Sequence, residues 1–208
     1  MNEIIVNIAI LAVPILLAVT VHEMAHGYAA LHFGDPTAKM AGRLTLNPLK
    51  HLDPIGTLVF ILTRAVGWAK PVPVNPRYFK NPRQDMLWVS AAGPAANILM
   101  AFAFSLLLRL ILAGIHVLPM FLAEPLFHIA QAGVYLNVGL AVFNLVPIPP
   151  LDGSGILSGL LPSHLAYQYD QIGRYGFVIL LILIFTGLVD KIIVPIIDLI
   201  VNLLLIGL

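Results

Sequence analysis

Long apolar runs alternate with short polar segments along the whole chain. The apolar runs cover about residues 4–33, 86–113, 125–146, 173–189 and 192–208. A transmembrane helix needs about 20 consecutive apolar residues, so the first four runs predict membrane spans and the fifth predicts a span of marginal length. The pattern therefore predicts an all-α polytopic membrane protein with about five to six transmembrane helices.

The mixed stretch between the first two spans contains a shorter apolar run. Ile55 to Trp68 is about 14 residues long, which is short for a span and suits a re-entrant or interfacial element. The following "AKPVPVNP", residues 69–76, is interrupted by prolines, which predicts an extended segment such as an edge strand. We therefore expect a re-entrant and extended membrane-associated element between the first two spans.

Composition supports the membrane class and excludes several kinds of function. The 208 residues are 60% hydrophobic and 10% charged, whereas a soluble domain carries about 25% charged residues. The net charge of +1 gives no reason to expect nucleic acid as a partner, and the lack of cysteine excludes thiolate metal ligands. The length suits a single integral membrane domain over 1–208, with no room for an appended soluble domain.

The distribution of charge predicts the topology. Eight of the eleven Lys and Arg residues lie between Lys39 and Arg83, where the only acid is Asp53. The positive-inside rule places this stretch in the cytoplasm, so the first span enters from outside and its C-terminal end is cytoplasmic. Counting the spans forward places Asp152, at the end of the third span, on the same side.

The sequence "HEMAH", residues 22–26, places three ionisable groups inside the first apolar run. On a helix, His22 and His26 lie one turn apart on the same face, so their imidazoles can bind one metal ion while Glu23 projects beside it. On a soluble helix this motif is often a solvated polar face, but a membrane-spanning helix offers no water to solvate three such groups. The motif therefore predicts a metal site, with Glu23 available to move protons.

A catalytic zinc site uses three protein ligands, so a third ligand is expected elsewhere. Two aspartates are flanked by apolar sequence, Asp152 in "PIPPLDG" and Asp198 in "PIIDLIVN". The prolines break the helix before Asp152, and an unwound segment can direct a carboxylate into a cavity, which favours Asp152. The alternatives are an ordinary Pro–Gly turn at Asp152 and a ligand or a polar contact inside the bundle at Asp198. The other five histidines lie near predicted helix ends or loops, where solvated or interfacial roles are expected: His32, His51, His116, His128 and His164.

The motifs "HEMAH", "AGPAAN" and "NLVPIPPLDG", in this order among hydrophobic segments, resemble the site-2 protease family of intramembrane zinc metalloproteases. The stretches "GRLTLNPLKHLDPIGTL" and "GWAKPVPVNP" are similar to the membrane-associated region of prokaryotic members. The resemblance covers about Val21 to Gly155. It implies a catalytic core at about 4–155, and the apolar runs predict additional C-terminal helices at about 173–208. Many members carry a PDZ or CBS domain, for which we expect this length to leave no room, so we expect a minimal prokaryotic type.

The resemblance also implies the roles of individual residues. His22, His26 and Asp152 correspond to the ligands of one catalytic Zn²⁺, and Glu23 corresponds to the catalytic acid and base. The asparagines of the second and third motifs are implied to face the substrate: Asn97 and Asn144. Amide donors of this kind can stabilise the developing oxyanion of peptide hydrolysis, and the alternative is that both amides bond helix to helix, as amides often do in membranes.

The sequence therefore predicts a zinc endopeptidase that cleaves a peptide bond in or near a transmembrane segment of a membrane-protein substrate. We expect its partners to be that substrate and the lipid bilayer, and its location to be a prokaryotic cell membrane with the active site towards the cytoplasm. Two other classes stay open. A divalent-metal transporter would spread its ligands along several helices, and a non-catalytic scaffold homologue would lack Glu23 or a ligand.

Overall fold

The computed structural model describes residues 2–63 and 67–207, with the side chains of 10–59, 62 and 67–207. In this part of the chain there are eight α-helices, two short 3-10 helices and no β-strand. The α-helices are α1 (Asn2–His32), α2 (Thr37–Met40), α3 (Pro54–Thr63), α4 (Pro82–Ala113), α5 (Met120–Asn144), α6 (Asp152–Leu160), α7 (Ser163–Phe185) and α8 (Leu188–Leu205). The 3-10 helices are Pro48–Lys50 and Pro76–Tyr78. The predicted all-α class is confirmed.

Three of these helices are long and apolar enough to cross a membrane. They are the part of α1 from Ile10 to His32, α4 and α5. Helices α7 and α8 qualify as a fourth span if the pair, bent by 77°, is counted as one. Gly187 lies at the bend with a φ of 68°, a conformation that glycine adopts without steric cost. The number of spans, predicted as five to six, stays a prediction.

Helix α4 lies inside the bundle, in contact with α1, α5, α6 and α8. Together with α5 and α8 it forms an apolar cluster that includes Phe104, Leu108, Val134 and Val201. A side chain at Gly133 of α5 would collide with the Phe104 ring. Because helices in lipid associate through close packing rather than through the hydrophobic effect, small residues at such crossings hold the bundle together.

The stretch between α1 and α4 contains the predicted re-entrant element. Helix α3 has ten residues, fewer than a membrane span needs. Leu52 and Ala69, on the two flanks of this helix, form an isolated antiparallel bridge. The two ends of the apolar segment therefore lie side by side. Residues 64–66 of the predicted 55–68 element lie outside the described residues.

The segment 70–75 does not form the edge strand that the prolines suggested. Pro71 and Pro73 have no N–H group, so they cannot sustain a hydrogen-bonded ladder. Three of the other N–H groups donate to partners outside any sheet: Lys70 to His51, Val72 to Glu23 and Asn75 to Asp35. The segment is therefore fixed against α1 and the loop after it instead of against another strand.

Helix α6 brings the chain back against α4 after the third span. It follows a Pro-rich turn, which contains a cis Pro149–Pro150 peptide bond, and it begins at Asp152. A Cβ atom at Gly155 would lie 3.0 Å from the Cβ atom of Ser90 on α4, so glycine permits this close approach of the two helices. The packing places the first residue of α6 beside α1 and α4.

Candidate metal centre

The two histidines of "HEMAH" lie on the face of α1 that packs against α4. A side chain at Gly93 of α4 would collide with His26 Nε2 and lie 2.6 Å from His22 Cε1. Only a glycine at this position leaves room for both imidazoles. The small residues of "AGPAAN" therefore form the surface against which the two rings pack.

Asp152, the first residue of α6, completes a cluster of three potential ligands. Its Oδ2 atom lies 3.1 Å from His22 Nε2, and its Oδ1 atom lies 3.3 Å from His26 Nε2. The two Nε2 atoms lie 3.0 Å apart. Asp198, the alternative ligand, lies exposed on α8 and is not part of this cluster.

Hydrogen bonds on the far side of each ring fix the imidazole tautomers. His26 Nδ1 lies 2.7 Å from the carbonyl oxygen of Val89, and a carbonyl only accepts, so Nδ1 donates. His22 Nδ1 lies 2.6 Å from Asn97 Oδ1 and donates in the same way. In the neutral rings each Nε2 therefore carries a lone pair, and these lone pairs face each other and the Asp152 carboxylate.

Two buried amides on α4 and α5 hold His22 in this orientation. Asn137 donates from Nδ2 to the carbonyl oxygen of Gly133 at 2.8 Å, so its Oδ1 faces Asn97. Asn97 donates from Nδ2 to that oxygen at 2.9 Å and to the carbonyl oxygen of Ala18 at 3.2 Å. Its Oδ1 is left to accept from His22. The two backbone carbonyls thus determine which way both amides point.

The cluster fits a divalent metal ion. Two imidazole nitrogens and a carboxylate converge with their lone pairs directed at one another, an arrangement that is repulsive without a cation between them. Asp152 Oδ2 is buried and accepts no hydrogen bond within the described part of the chain, and a buried carboxylate oxygen without a partner is costly. Two histidines and one carboxylate form a ligand set found in catalytic zinc sites.

Glu23 lies beside the cluster and outside it. Its side chain is half-buried, and Oε2 accepts a hydrogen bond from the backbone N–H of Val72 at 2.8 Å. The predicted membrane-associated segment therefore reaches the candidate acid–base residue. The sequence patterns gave no sign of this contact, because the two residues are 49 positions apart.

Two further polar residues that the sequence analysis did not single out secure the same segment. Asp35 accepts hydrogen bonds from the backbone N–H of Asn75 at 2.7 Å and from the backbone N–H and the hydroxyl of Thr37. Burial tends to raise the pKa of the Asp35 carboxyl, but these hydrogen bonds to its charged form outweigh burial and hold the pKa below its usual value. Arg43 is buried and donates to the carbonyl oxygens of Lys70 and Pro71.

The two asparagines predicted to face the substrate lie in different surroundings. Asn97 is fully buried, and both N–H groups of its amide are used inside the bundle. Asn144 is half-buried at the end of α5 and donates to the carbonyl oxygen of Leu140 in its own helix. Their contact with substrate stays a prediction, and in Asn97 it would require one of the present partners to be exchanged.

Comparisons with known proteins agree with this site. The sequence model of peptidase family M50 matches residues 10–124 and 114–185. The Bacillus subtilis protein named "Putative zinc metalloprotease YwhC" is 43% identical over 189 residues, which cover 90% of this chain and 85% of that protein. Rip2 of Mycolicibacterium smegmatis carries the same description and is 31% identical over 184 residues, which cover 85% of this chain and 66% of Rip2.

A third protein with that description, MJ0611 of Methanocaldococcus jannaschii, is 35% identical over 69 residues, which cover 33% of this chain and 31% of MJ0611. No solved structure shows a significant match. The family match covers most of the chain, and the cluster of His22, His26 and Asp152 could hold the metal that the relatives' names imply. The chain therefore belongs to peptidase family M50 and is a zinc metalloprotease of the site-2 protease type.

Proposed function

We propose that the protein is an intramembrane endopeptidase that hydrolyses a peptide bond within or beside a transmembrane segment of a membrane-protein substrate. The observation that carries this proposal is the convergence of His22, His26 and Asp152, with Glu23 beside them. Both histidines and Glu23 lie on α1, a helix apolar enough to cross a membrane. A protease site built into such a helix is suited to a substrate in the same bilayer.

The geometry supports the following proposed roles. His22, His26 and Asp152 would hold zinc, which when bound supplies Lewis acidity towards water and the scissile carbonyl. Glu23 accepts a proton from the attacking water and then donates a proton to the leaving amine. The amides of Asn97 and Asn137 keep His22 in the tautomer that presents Nε2 to the ligand cluster.

We place the site towards the cytoplasm. The basic stretch from Lys39 to Arg83 packs against the end of α1 that carries Glu23, through the hydrogen bond from Val72 to Glu23. Because basic loops stay on the cytoplasmic side, the packing supports a cytoplasmic position for the ligand cluster as well.

A helical substrate has its scissile carbonyl protected, so the substrate must unwind before water can attack. We propose that the segment 70–75 binds the unwound strand through its backbone. Within the described structure, Val74 carries the one N–H group of this segment that has no hydrogen-bond partner. This N–H is therefore the donor available to a substrate strand.

Substituting Val74→Pro tests the strand-binding proposal. Proline removes the free N–H, and its fixed φ suits a segment that already contains Pro71 and Pro73. We expect a higher KM for a transmembrane peptide substrate with unchanged zinc content, measured by peptide cleavage and metal analysis. Exchange of the exposed Val178 on α7 for alanine serves as the control, and an unchanged KM in Val74→Pro would count against the proposal.

The test of the proposed activity is cleavage of a model transmembrane peptide by the purified protein in lipid nanodiscs. The Glu23→Gln variant should keep zinc and lose cleavage by at least about a hundredfold, because the amide cannot accept the proton. The wild-type protein should lose cleavage after chelation and recover it with zinc. Cleavage that persists in Glu23→Gln would show that another residue is the base.

The same two proteins, reconstituted in sealed vesicles, separate the two alternative functions. A metal transporter would move zinc across the vesicle membrane whether or not residue 23 is a carboxylate, and a scaffold would cleave nothing in either form. The ligands of the described cluster meet at one point, and are not spread along a pathway. This arrangement favours the protease.

A further inference from the structure

A buried arginine and the proposed catalytic glutamate contact opposite ends of one peptide group. The carbonyl oxygen of Pro71 accepts a hydrogen bond from Arg43 Nη1 at 3.2 Å, and the N–H of Val72 donates to Glu23 Oε2 at 2.8 Å. These two groups belong to the same Pro71–Val72 peptide. Arg43 Nη2 also donates to the preceding carbonyl oxygen, that of Lys70, at 2.6 Å.

The geometry of a peptide group carries the influence of Arg43 to Glu23. A peptide is planar, with its C=O and N–H bonds held in opposite directions, so a donor that fixes the oxygen also fixes the direction of the N–H. Hydrogen bonds in series polarise one another where water is excluded. The rigid guanidinium fork binds two successive carbonyls, and it therefore sets both the direction and the strength of the N–H that reaches Glu23.

A role limited to holding the loop accounts less well for Arg43. The segment is already attached by the N–H groups of Lys70 and Asn75, and the Val72 side chain packs where Gly27 of α1 leaves room. Among the described residues, the ion pairs found involve His22, His26 and Asp152 only. Arg43 is thus a buried cation without a carboxylate partner, which is a costly way to attach a loop.

We propose that Arg43 is a positioning residue for the catalytic carboxylate and acts through the Pro71–Val72 peptide. The peptide N–H holds Oε2 of Glu23, and the other carboxylate oxygen remains to take the proton. This inference rests on the proposed protease function. It assigns a role in the reaction to a residue that contacts neither metal nor substrate.

The test compares single and double variants that interrupt, at two points, the series of hydrogen bonds from Arg43 to Glu23. Arg43→Met removes the donor, and Val72→Pro removes the N–H while keeping an extended backbone. Each should lower kcat for a transmembrane peptide about ten- to a hundredfold and leave zinc content unchanged. The kcat of the double variant should be no lower than that of the slower single variant, because both substitutions interrupt the same series of hydrogen bonds. Arg43→Lys should recover part of kcat, since an ammonium can reach one carbonyl.

The matched control is Arg77→Met, which removes a positive charge from the exposed surface of the same stretch and should leave kcat unchanged. The proposal would be overturned if the fold-loss of kcat in the double variant equalled the product of the two single losses, or if Arg43→Met kept the wild-type kcat. If Arg43→Met does not fold, the same comparison is made with Arg43→Lys and Val72→Pro. If Glu23→Gln is inactive and Arg43→Met is fully active, only the role of Arg43 is refuted. If Glu23→Gln is active, the proposed function is refuted.

Discussion

At the scale of single residues, the metal site depends on groups that do not touch a metal. His22 and His26 can present Nε2 to an ion only if their Nδ1 atoms carry the protons, and a carbonyl or amide oxygen secures each of those protons. Partners of this kind fix the orientation and raise the basicity of the ligands. The least obvious of these partners is Asn137, which acts on His22 through Asn97.

Replacing Asn137 by leucine should therefore weaken zinc binding. Without the Asn137 oxygen, the Asn97 amide loses one of the two acceptors that orient it, and His22 loses its fixed tautomer. We expect zinc affinity to fall about ten- to a hundredfold, measured by competition with a chromogenic chelator. The matched control is Asn202→Leu, since Asn202 is exposed on α8. Equal affinities in the two variants would contradict a role for the amides in the site.

Sequence patterns identify the candidate ligands and the candidate base, but they do not identify the residues that support them. His22, Glu23 and His26 lie within five residues of one helix, so their shared location follows from helix geometry alone. The sequence favoured Asp152 over Asp198 through its Pro-broken context, and the structure brings Asp152 to the histidines. Asn137 meets Asn97 across 40 positions, and no local pattern encodes such a contact.

At the scale of elements, the segment 70–75 is held by isolated polar contacts. The prediction of an extended segment rested on its prolines, and the same prolines prevent a sheet, because two of its six residues have no N–H to donate. Which groups hold it instead was not predictable, since Arg43 and Asp35 lie about 30 to 40 residues earlier in the chain. The helices were predicted more closely because the length of a single apolar run is enough to identify a transmembrane helix.

The helix boundaries show the limit of that signal. The apolar run at about 173–189 predicted a span, but α7 begins ten residues earlier, at Ser163. Its first turns carry polar residues such as Gln168 and Asp170. Hydropathy finds the part of a helix that lies in an apolar environment and cannot detect a polar extension of the same helix.

The attachment of the segment through Asp35 predicts a dependence on pH. The folded state holds the pKa of Asp35 below its unfolded value of about 3.9. The stabilisation is therefore fully present above that value and is lost as pH falls through the lower folded pKa. We expect the loop to become more susceptible to an acid-active protease as pH falls from about 5 towards 2, measured by limited proteolysis of the protein in nanodiscs.

Asp35→Asn should remove most of this pH dependence, because the amide does not titrate. Asp190→Asn, at an exposed position on α8, should leave the pH dependence unchanged. A loop whose digestion follows the same pH profile in the wild type and in Asp35→Asn would show that another group controls its attachment.

At the scale of the whole molecule, the site forms where three separate parts of the chain meet. Helix α1 supplies the histidines and the glutamate, α6 supplies the aspartate, and α4 lies behind both with a glycine under the imidazoles. The loop between α1 and α4 closes over Glu23. The ligand cluster therefore requires the packing of α6 on α4, although two of its three members lie on one helix.

The claim at the centre of this account is that His22, His26 and Asp152 together hold one zinc ion. The most direct measurement is the zinc content of purified Asp152→Ala beside that of Asp198→Ala, each in the same lipid nanodiscs. The account predicts about one zinc per chain in the wild type and in Asp198→Ala, and a large loss of zinc in Asp152→Ala, because a zinc site left with two imidazoles lacks its third ligand. Full zinc occupancy in Asp152→Ala, or its loss in Asp198→Ala, would contradict the account.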